Sequence, residues 1–161
     1  MKKTPAPPQA GGDRPATDAD APRVEITTAH VEVYFEGHLV AESRRARRLL
    51  LPSRPPVYCV PPEDVRGGYL KRNRNRTQTE VLGIAEYYDL AAGAKRVENA
   101  AWSIPEPPPE YAAIRDCVAF DPRVMEACLV NDEKVRSDCH YGWITRGVDV
   151  RLRDDGDGGR R

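Results

Sequence analysis

The segment Val97-Glu98-Asn99-Ala100-Ala101-Trp102-Ser103, followed by Ile104-Pro105-Glu106-Pro107, constrains the fold of this chain more than any other stretch. In an extended strand successive side chains face opposite ways. Val97, Asn99, Ala101 and Ser103 then line one face, and Glu98, Ala100, Trp102 and Ile104 the other. Small alanines beside a tryptophan predict a tight seat for the ring or a closely approaching neighbour strand. Pro105 ends the ladder, because it has no N–H to donate.

Strand spacing recurs on both sides of this segment. Val31, Val33 and Phe35 alternate with Glu32 and Tyr34, Glu36-Gly37-His38 suits a tight turn, and Leu39 to Ser43 returns as a second strand. A further strand is expected from Arg47. Val57-Tyr58-Cys59-Val60 is a short apolar run with prolines on both sides, the pattern of a buried strand of minimal length. Pro61 to Val65 suits one helical turn, with proline and acids at its start; Gly67-Gly68 breaks it. Lys71 to Thr79 is polar, basic and aperiodic, and reads as a loop. Val81 to Leu90 and Arg96 to Ile104 read as strands, Glu110 to Asp116 as a short helix, and Cys117 to Asp121 and Val124 to Val130 as strands. A last pairing starts near Lys134, and His140 to Ile144 is expected to pack back on the sheet. Short strands with little helix describe a mainly β protein, a single small domain built on a bent antiparallel sheet with one or two short helices.

The 161 residues suit one domain. Residues 1 to 22 hold five prolines and two glycines, and 153 to 161 read Arg-Asp-Asp-Gly-Asp-Gly-Gly-Arg-Arg. Neither end can bury enough apolar surface to offset its ordering entropy, so both are expected as disordered tails around a domain at 24 to 152. The formal net charge is zero, which argues against a general nucleic-acid or membrane binder. Between Arg44 and Arg76, however, ten basic residues face two acidic ones. Met1-Lys2-Lys3-Thr4 opens like a secretory signal, but no apolar run follows. No stretch reaches transmembrane length. A cytoplasmic protein with reduced thiols, monomer or homodimer, is the expectation.

An ordered series of motifs resembles a known family. Pro55-Pro56-Val57-Tyr58, Pro61 with Glu63-Asp64-Val65, Asn99-Ala100-Ala101-Trp102-Ser103, Pro105 with Pro107, and Val118-Ala119-Phe120 are similar to the bacterial family called domain of unknown function (DUF) 427. The resemblance covers about residues 31 to 133 and takes in the turn from Arg44 to Ala46. Tyr141-Gly142-Trp143-Ile144-Thr145 resembles a C-terminal extension of longer members. The resemblance implies a small, strongly bent all-β fold, similar to the tent-like folds of methionine-R-sulfoxide reductases and the thalidomide-binding domain. The family also carries a nucleotidyltransferase label. Its members commonly have a Thr-His-Cys-Pro-Tyr-Lys-Gly run. Here Thr77 and Gly83 are kept, while Gln78, Thr79 and Leu82 stand at the histidine, cysteine and lysine positions.

Candidate site residues follow from residue chemistry. Asn99 and Trp102 come first, because concave β surfaces that hold ligands combine aromatics with a few polar groups. Packing of Trp102 in the core and pairing of Asn99 with backbone is the competing reading. Tyr58, Arg44 and Thr77 could join the ligand wall, and so could Trp143. Tyr87 and Tyr88 are strand neighbours and cannot both line one pocket. Arg72, Arg74 and Arg76 alternate through Asn73 and Asn75 and would face one way in an extended loop, as an anion-binding arm. No aromatics interleave with them, which weakens a nucleic-acid reading.

Cys59, Cys117, Cys128 and Cys139 form no Cys-x-x-Cys pair, and no spacing proposes a metal or cofactor site. The only Asp-x-Asp pairs, Asp18 with Asp20 and Asp155 with Asp157, lie in the tails, so two-metal phosphoryl transfer finds no support in the carboxylates. The expected function is a binding module for a small molecule or peptide. The alternatives are a nucleotide- or phosphate-ester-directed enzyme and an interaction module for anionic partners.

Overall fold

A computed structural model describes residues 21–137 and 141–146. The expected tails lie outside these residues except for Ala21 and Pro22, as do Cys139 and His140. The chain forms strands β1 (Arg23–Ile26), β2 (Val31–Phe35), β3 (His38–Ser43), β4 (Arg47–Leu50), β5 (Val57–Val60), β6 (Leu70–Gln78), β7 (Ile84–Ala92), β8 (Lys95–Ser103), β9 (Val118–Phe120), β10 (Ala127–Val130) and β11 (Glu133–Lys134). Three 3-10 turns, Pro62–Asp64, Gly67–Tyr69 and Pro109–Ile114, supply the helical content.

The fold is mainly β and antiparallel, as the strand spacing predicts, but the strands divide into two sheets. The larger has the order β1-β4-β5-β9-β8-β7-β6 and the smaller β11-β10-β2-β3. The β2–β3 hairpin turns on Glu36 and Gly37, with φ of 51° and 78°. That left-handed pair matches the twist of the strands it joins.

The inner face of the small sheet carries Val31, Val33, Phe35, Val40 and Cys128, and it packs on Tyr58, Val60, Ala101, Val118 and Phe120 of the large one. The opposite face of the large sheet buries Leu49, Val57, Cys59, Ala119 and Ile104 beneath Tyr111 and Ile114 of the last 3-10 turn. Covered on both sides, β5 is buried along its length, as a short apolar strand bounded by prolines should be. The corner between the sheets is pinned at Asp64, whose Oδ2 accepts from Ser43 Oγ at 2.7 Å and from Arg45 Nε at 3.1 Å.

Two expectations are corrected. Lys71 to Thr79 is not a loop but most of β6, the edge strand of the large sheet. Almost all of its side chains are exposed, so no apolar alternation marks it. Backbone pairing to β7 alone makes it a strand, and its charges suit an edge that must not pair further. Nor does β8 alternate strictly. Its pairing to β7 slips between Tyr88 and Leu90, and Asn99 takes φ of 55°. Past this bulge Ala100 and Ala101 both enter the core between the sheets, while Trp102 packs on the opposite side. In addition, Gly67 to Tyr69 continues as a second 3-10 turn, β7 starts at Ile84, and β10 starts at Ala127.

Candidate functional site

The β7–β8 register places Tyr87 opposite Trp102, and β9 places Ala119 beside Trp102. Thr77 pairs with Ala85, two residues before Tyr87, so Thr77, Tyr87 and Trp102 share one face. Thr77 Oγ1 lies 3.1 Å from the Tyr87 hydroxyl. Tyr141 stands edge-on to Trp102, with ring centroids 6.1 Å apart. All three rings are half-buried. They form an aromatic patch rimmed by hydroxyls, and the Tyr141 phenol is pushed up from its ordinary value by burial and by the neighbouring Tyr87.

Asn99 supports this patch from behind. Its backbone carbonyl accepts the Tyr141 hydroxyl at 2.7 Å. Its Oδ1 accepts from Asn73 Nδ2 at 2.8 Å and from Asn75 Nδ2 at 2.9 Å. Asn73 Nδ2 also donates to Asp89 Oδ1 at 2.7 Å, and the Asn99 N–H reaches that oxygen at 3.2 Å. Arg96 Nη2 donates to Asp89 Oδ2 at 2.8 Å. The Arg96 guanidinium, joined by Asn73 and the Asn99 N–H, holds the buried Asp89 carboxyl below the usual carboxylate range. Asn99 thus meets its partners through side-chain amides and a carboxylate, a connection that the position of Asn99 in its own strand does not announce.

The other expected site residues lie elsewhere. Tyr58 is buried in the core between the sheets, stacked on Trp143 at 5.0 Å, and the Arg48 guanidinium lies 5.6 Å from its ring centroid. Tyr58 and Tyr88 belong to the face opposite Trp102. Trp143 is wholly buried and donates its indole N–H to the Phe120 carbonyl at 3.1 Å. Arg44 is exposed on the β3–β4 connection.

Two of the three arginines of β6, Arg72 and Arg76, turn to the same carboxylate. A slip in the β6–β7 pairing falls between Arg72 and Arg76. Arg72 Nε and Arg76 Nη2 converge on Glu86 at 3.3 and 3.4 Å. Glu86 Oε1 has neither solvent access nor a well-aligned hydrogen bond, although Arg72 Nε is close. Arg74 is exposed and, among the described residues, pairs with no carboxylate.

The run from Thr77 to Gly83 is a structural loop in this chain. The Thr79 hydroxyl bonds the Gly83 carbonyl and accepts the Leu82 N–H at 3.0 Å. Leu82 is buried beside Ile104 and Ala85, and Gln78 is exposed at the end of β6. Gly83 sits at φ of 100°, and a Cβ there would meet the Glu106 carbonyl oxygen at 3.0 Å. Glycine is therefore required at that position.

Three cysteines among the described residues, Cys59, Cys117 and Cys128, are buried and unpaired. Burial raises each thiol, Cys117 to about 11. An open polar depression of about 660 Å³ lies away from the aromatic patch, at the β10–β11 hairpin, lined by Asn131, Asp132, Glu133, Lys134, Arg136 and Arg146. No helix among the described residues is long and apolar enough to cross a membrane.

A two-sheet antiparallel protein with an aromatic patch on its larger sheet is the class that the fold and site define. The chain belongs to the family described as Domain of unknown function (DUF427), whose model, named NTP_transf_9, matches residues 23–131. No curated protein matches the chain.

Proposed function

We infer that this protein is a binding module for a small molecule or peptide that lays a flat apolar group on the Trp102 patch. The half-buried Trp102 ring between Tyr87 and Tyr141 carries this reading. Aromatic faces supply contact area at low ordering cost, and the hydroxyls of Thr77 and Tyr87 give direction to a polar group beside it. Asn99 contributes by holding the Tyr141 phenol.

The phosphate-directed reading suggested by the family model's name has less support on this surface. Asp89 and Glu86 are both engaged by arginines, Asp89 by Arg96 and Glu86 by Arg72 and Arg76. Of the four arginines considered for that role, Arg74 and Arg44 are the ones that stay exposed without an ion pair among the described residues. A titration with indole- and phenol-bearing fragments and short aromatic peptides, followed by intrinsic fluorescence, tests the binding reading. Trp143 is buried, so the exposed signal belongs to Trp102. A saturable change that is weakened in Tyr141→Phe is expected; Trp102→Phe and Trp102→Ala lack the reporting indole, so their binding is read by calorimetry and is expected to be lost. Binding that survives Trp102→Ala would overturn the assignment.

A further inference from the structure

The outer face of the small sheet gathers His30, Glu32, Tyr34 and Glu42. Glu32 and Glu42 stand directly opposite each other in the β2–β3 register. Like charges so placed are destabilising unless something between them compensates. Asp132 joins them from the β10–β11 turn, where it sits at φ of 70°. That turn is locked to His30 in both directions. Asn131 N–H donates to the His30 carbonyl at 2.8 Å, and Asn131 Oδ1 accepts the His30 N–H at 2.8 Å. Among the described residues no lysine or arginine forms an ion pair with Glu32, Glu42 or Asp132.

The hydrogen bonds around this cluster leave one set of atoms turned inward. Glu42 Oε2 holds His30 Nε2 at 2.6 Å, which leaves Nδ1 as the free ring nitrogen. The Tyr34 hydroxyl donates to Glu32 Oε2 at 3.0 Å, which leaves Oε1. His30 Nδ1 and Glu32 Oε1 are 3.8 Å apart, and one ligand atom from each of His30, Glu32 and Asp132 lies within 4.8 Å of the others. Bonds of about 2.1 Å in a tetrahedron need donors about 3.4 Å apart, so a small inward closure suffices. A carboxylate on the outer nitrogen of a ligating histidine, and a hydrogen bond on the outer oxygen of a ligating carboxylate, are the usual outer supports of a metal.

We propose that His30, Glu32 and Asp132 bind a divalent first-row transition ion such as Zn²⁺, with Glu42 and Tyr34 as positioning residues and the remaining coordination position open to water. An imidazole donor selects such ions over Mg²⁺ or Ca²⁺, which prefer oxygen alone.

Zn²⁺ alone, titrated by calorimetry into the chelator-treated full-length chain with Cys139→Ser and His140→Ala in place, tests the assignment. Those two substitutions remove a competing thiolate and imidazole. One equivalent should bind and raise the melting temperature. Asp132→Asn keeps a residue that tolerates the left-handed backbone of the turn, so it should fold and bind at least tenfold more weakly. Glu32→Gln should do the same, and Glu42→Gln should weaken binding by about tenfold through His30. Mg²⁺ should not compete. Absence of binding, full affinity in Asp132→Asn, or equal competition by Mg²⁺ would each overturn the proposal.

Discussion

Asn73 Nδ2 donates to Asn99 Oδ1 at 2.8 Å, so side chains of β6 and β8 bond directly over the intervening β7. Both strands depart from regular pairing here, β6 between Arg72 and Arg76 and β8 opposite Asp89. The two bulges therefore form one connected polar unit, with Asp89 beneath it. Asn99→Ala should lose about 2–4 kcal/mol, because it orphans amide donors and places a Cβ-bearing residue without side-chain compensation in the left-handed region. Asn99→Gly should lose only the hydrogen-bond part, about 1–3 kcal/mol. Urea melts of both variants check this; equal losses would remove the backbone contribution.

The two tryptophans should respond differently to truncation. Trp143 is enclosed and its N–H is paired, whereas Trp102 is open on one side. Trp143→Ala should cost about 3–5 kcal/mol, the range for a core ring, and Trp102→Ala clearly less. Denaturant unfolding of the pair is the measurement, and a Trp102→Ala loss as large as that of Trp143→Ala would make Trp102 a core residue.

Glu86 predicts non-additivity on β6. Arg74→Gln should leave stability unchanged within about 0.5 kcal/mol. Arg72→Gln and Arg76→Gln alone should each cost little, since each cation is largely exposed. Together they should cost more than the sum, because Glu86 then keeps a solvent-shielded oxygen with no cation near it. Glu86→Gln in the double variant should restore stability. An additive double loss, read from the same melts, would show that Glu86 is well hydrated. Any binding of anionic ligands should depend on Arg74 and fall with salt.

Acid stability should track Asp89. Its folded carboxyl titrates below the usual range because of Arg96, so the unfolded chain takes up a proton more readily. The stabilisation is therefore present above the unfolded carboxylate value of about 3.9 and is lost as pH falls through the folded one. Asp64, lowered chiefly by Arg45, acts in the same direction. Melting temperature measured from pH 7 down to pH 2 should fall less steeply in Asp89→Asn than in the parent. Parallel slopes would remove Asp89 from the acid limb.

Cys59, Cys117 and Cys128 should resist a thiol reagent in the native protein and react together on unfolding. Burial keeps them as thiols rather than thiolates. Native-state alkylation followed by mass spectrometry reads this directly.

What the sequence reveals here is what lies within one element. The β2–β3 hairpin and β5 are legible because burial on one face or on both writes itself into apolar spacing. The motif series from Pro55 to Phe120 is legible as family membership for the same reason, since each motif sits in or beside a buried strand. The β6 strand is not legible, because an edge with both faces in solvent has no apolar period to show. The bulge at Asn99 escapes too, since its cause is a partner on a different strand. For the same reason Tyr58 and Trp102 look like candidates for one wall, although the sheet places them on opposite sides. His30 and Asp132 meet only because Asn131 ties the β10–β11 turn to the start of β2.

Residues 141–144 carry Tyr141 against Trp102 and Trp143 against Tyr58, one ring on each side of the large sheet. They work as a clasp on the central strands β5 and β8, and they lie beyond the residues that the family model matches. Cutting the chain before Tyr141 would unroof the aromatic patch and leave a tryptophan-sized hollow in the core at a single stroke. Solidity and readiness to receive a ligand are thus tied to the same few residues, and neither can be tuned there without moving the other.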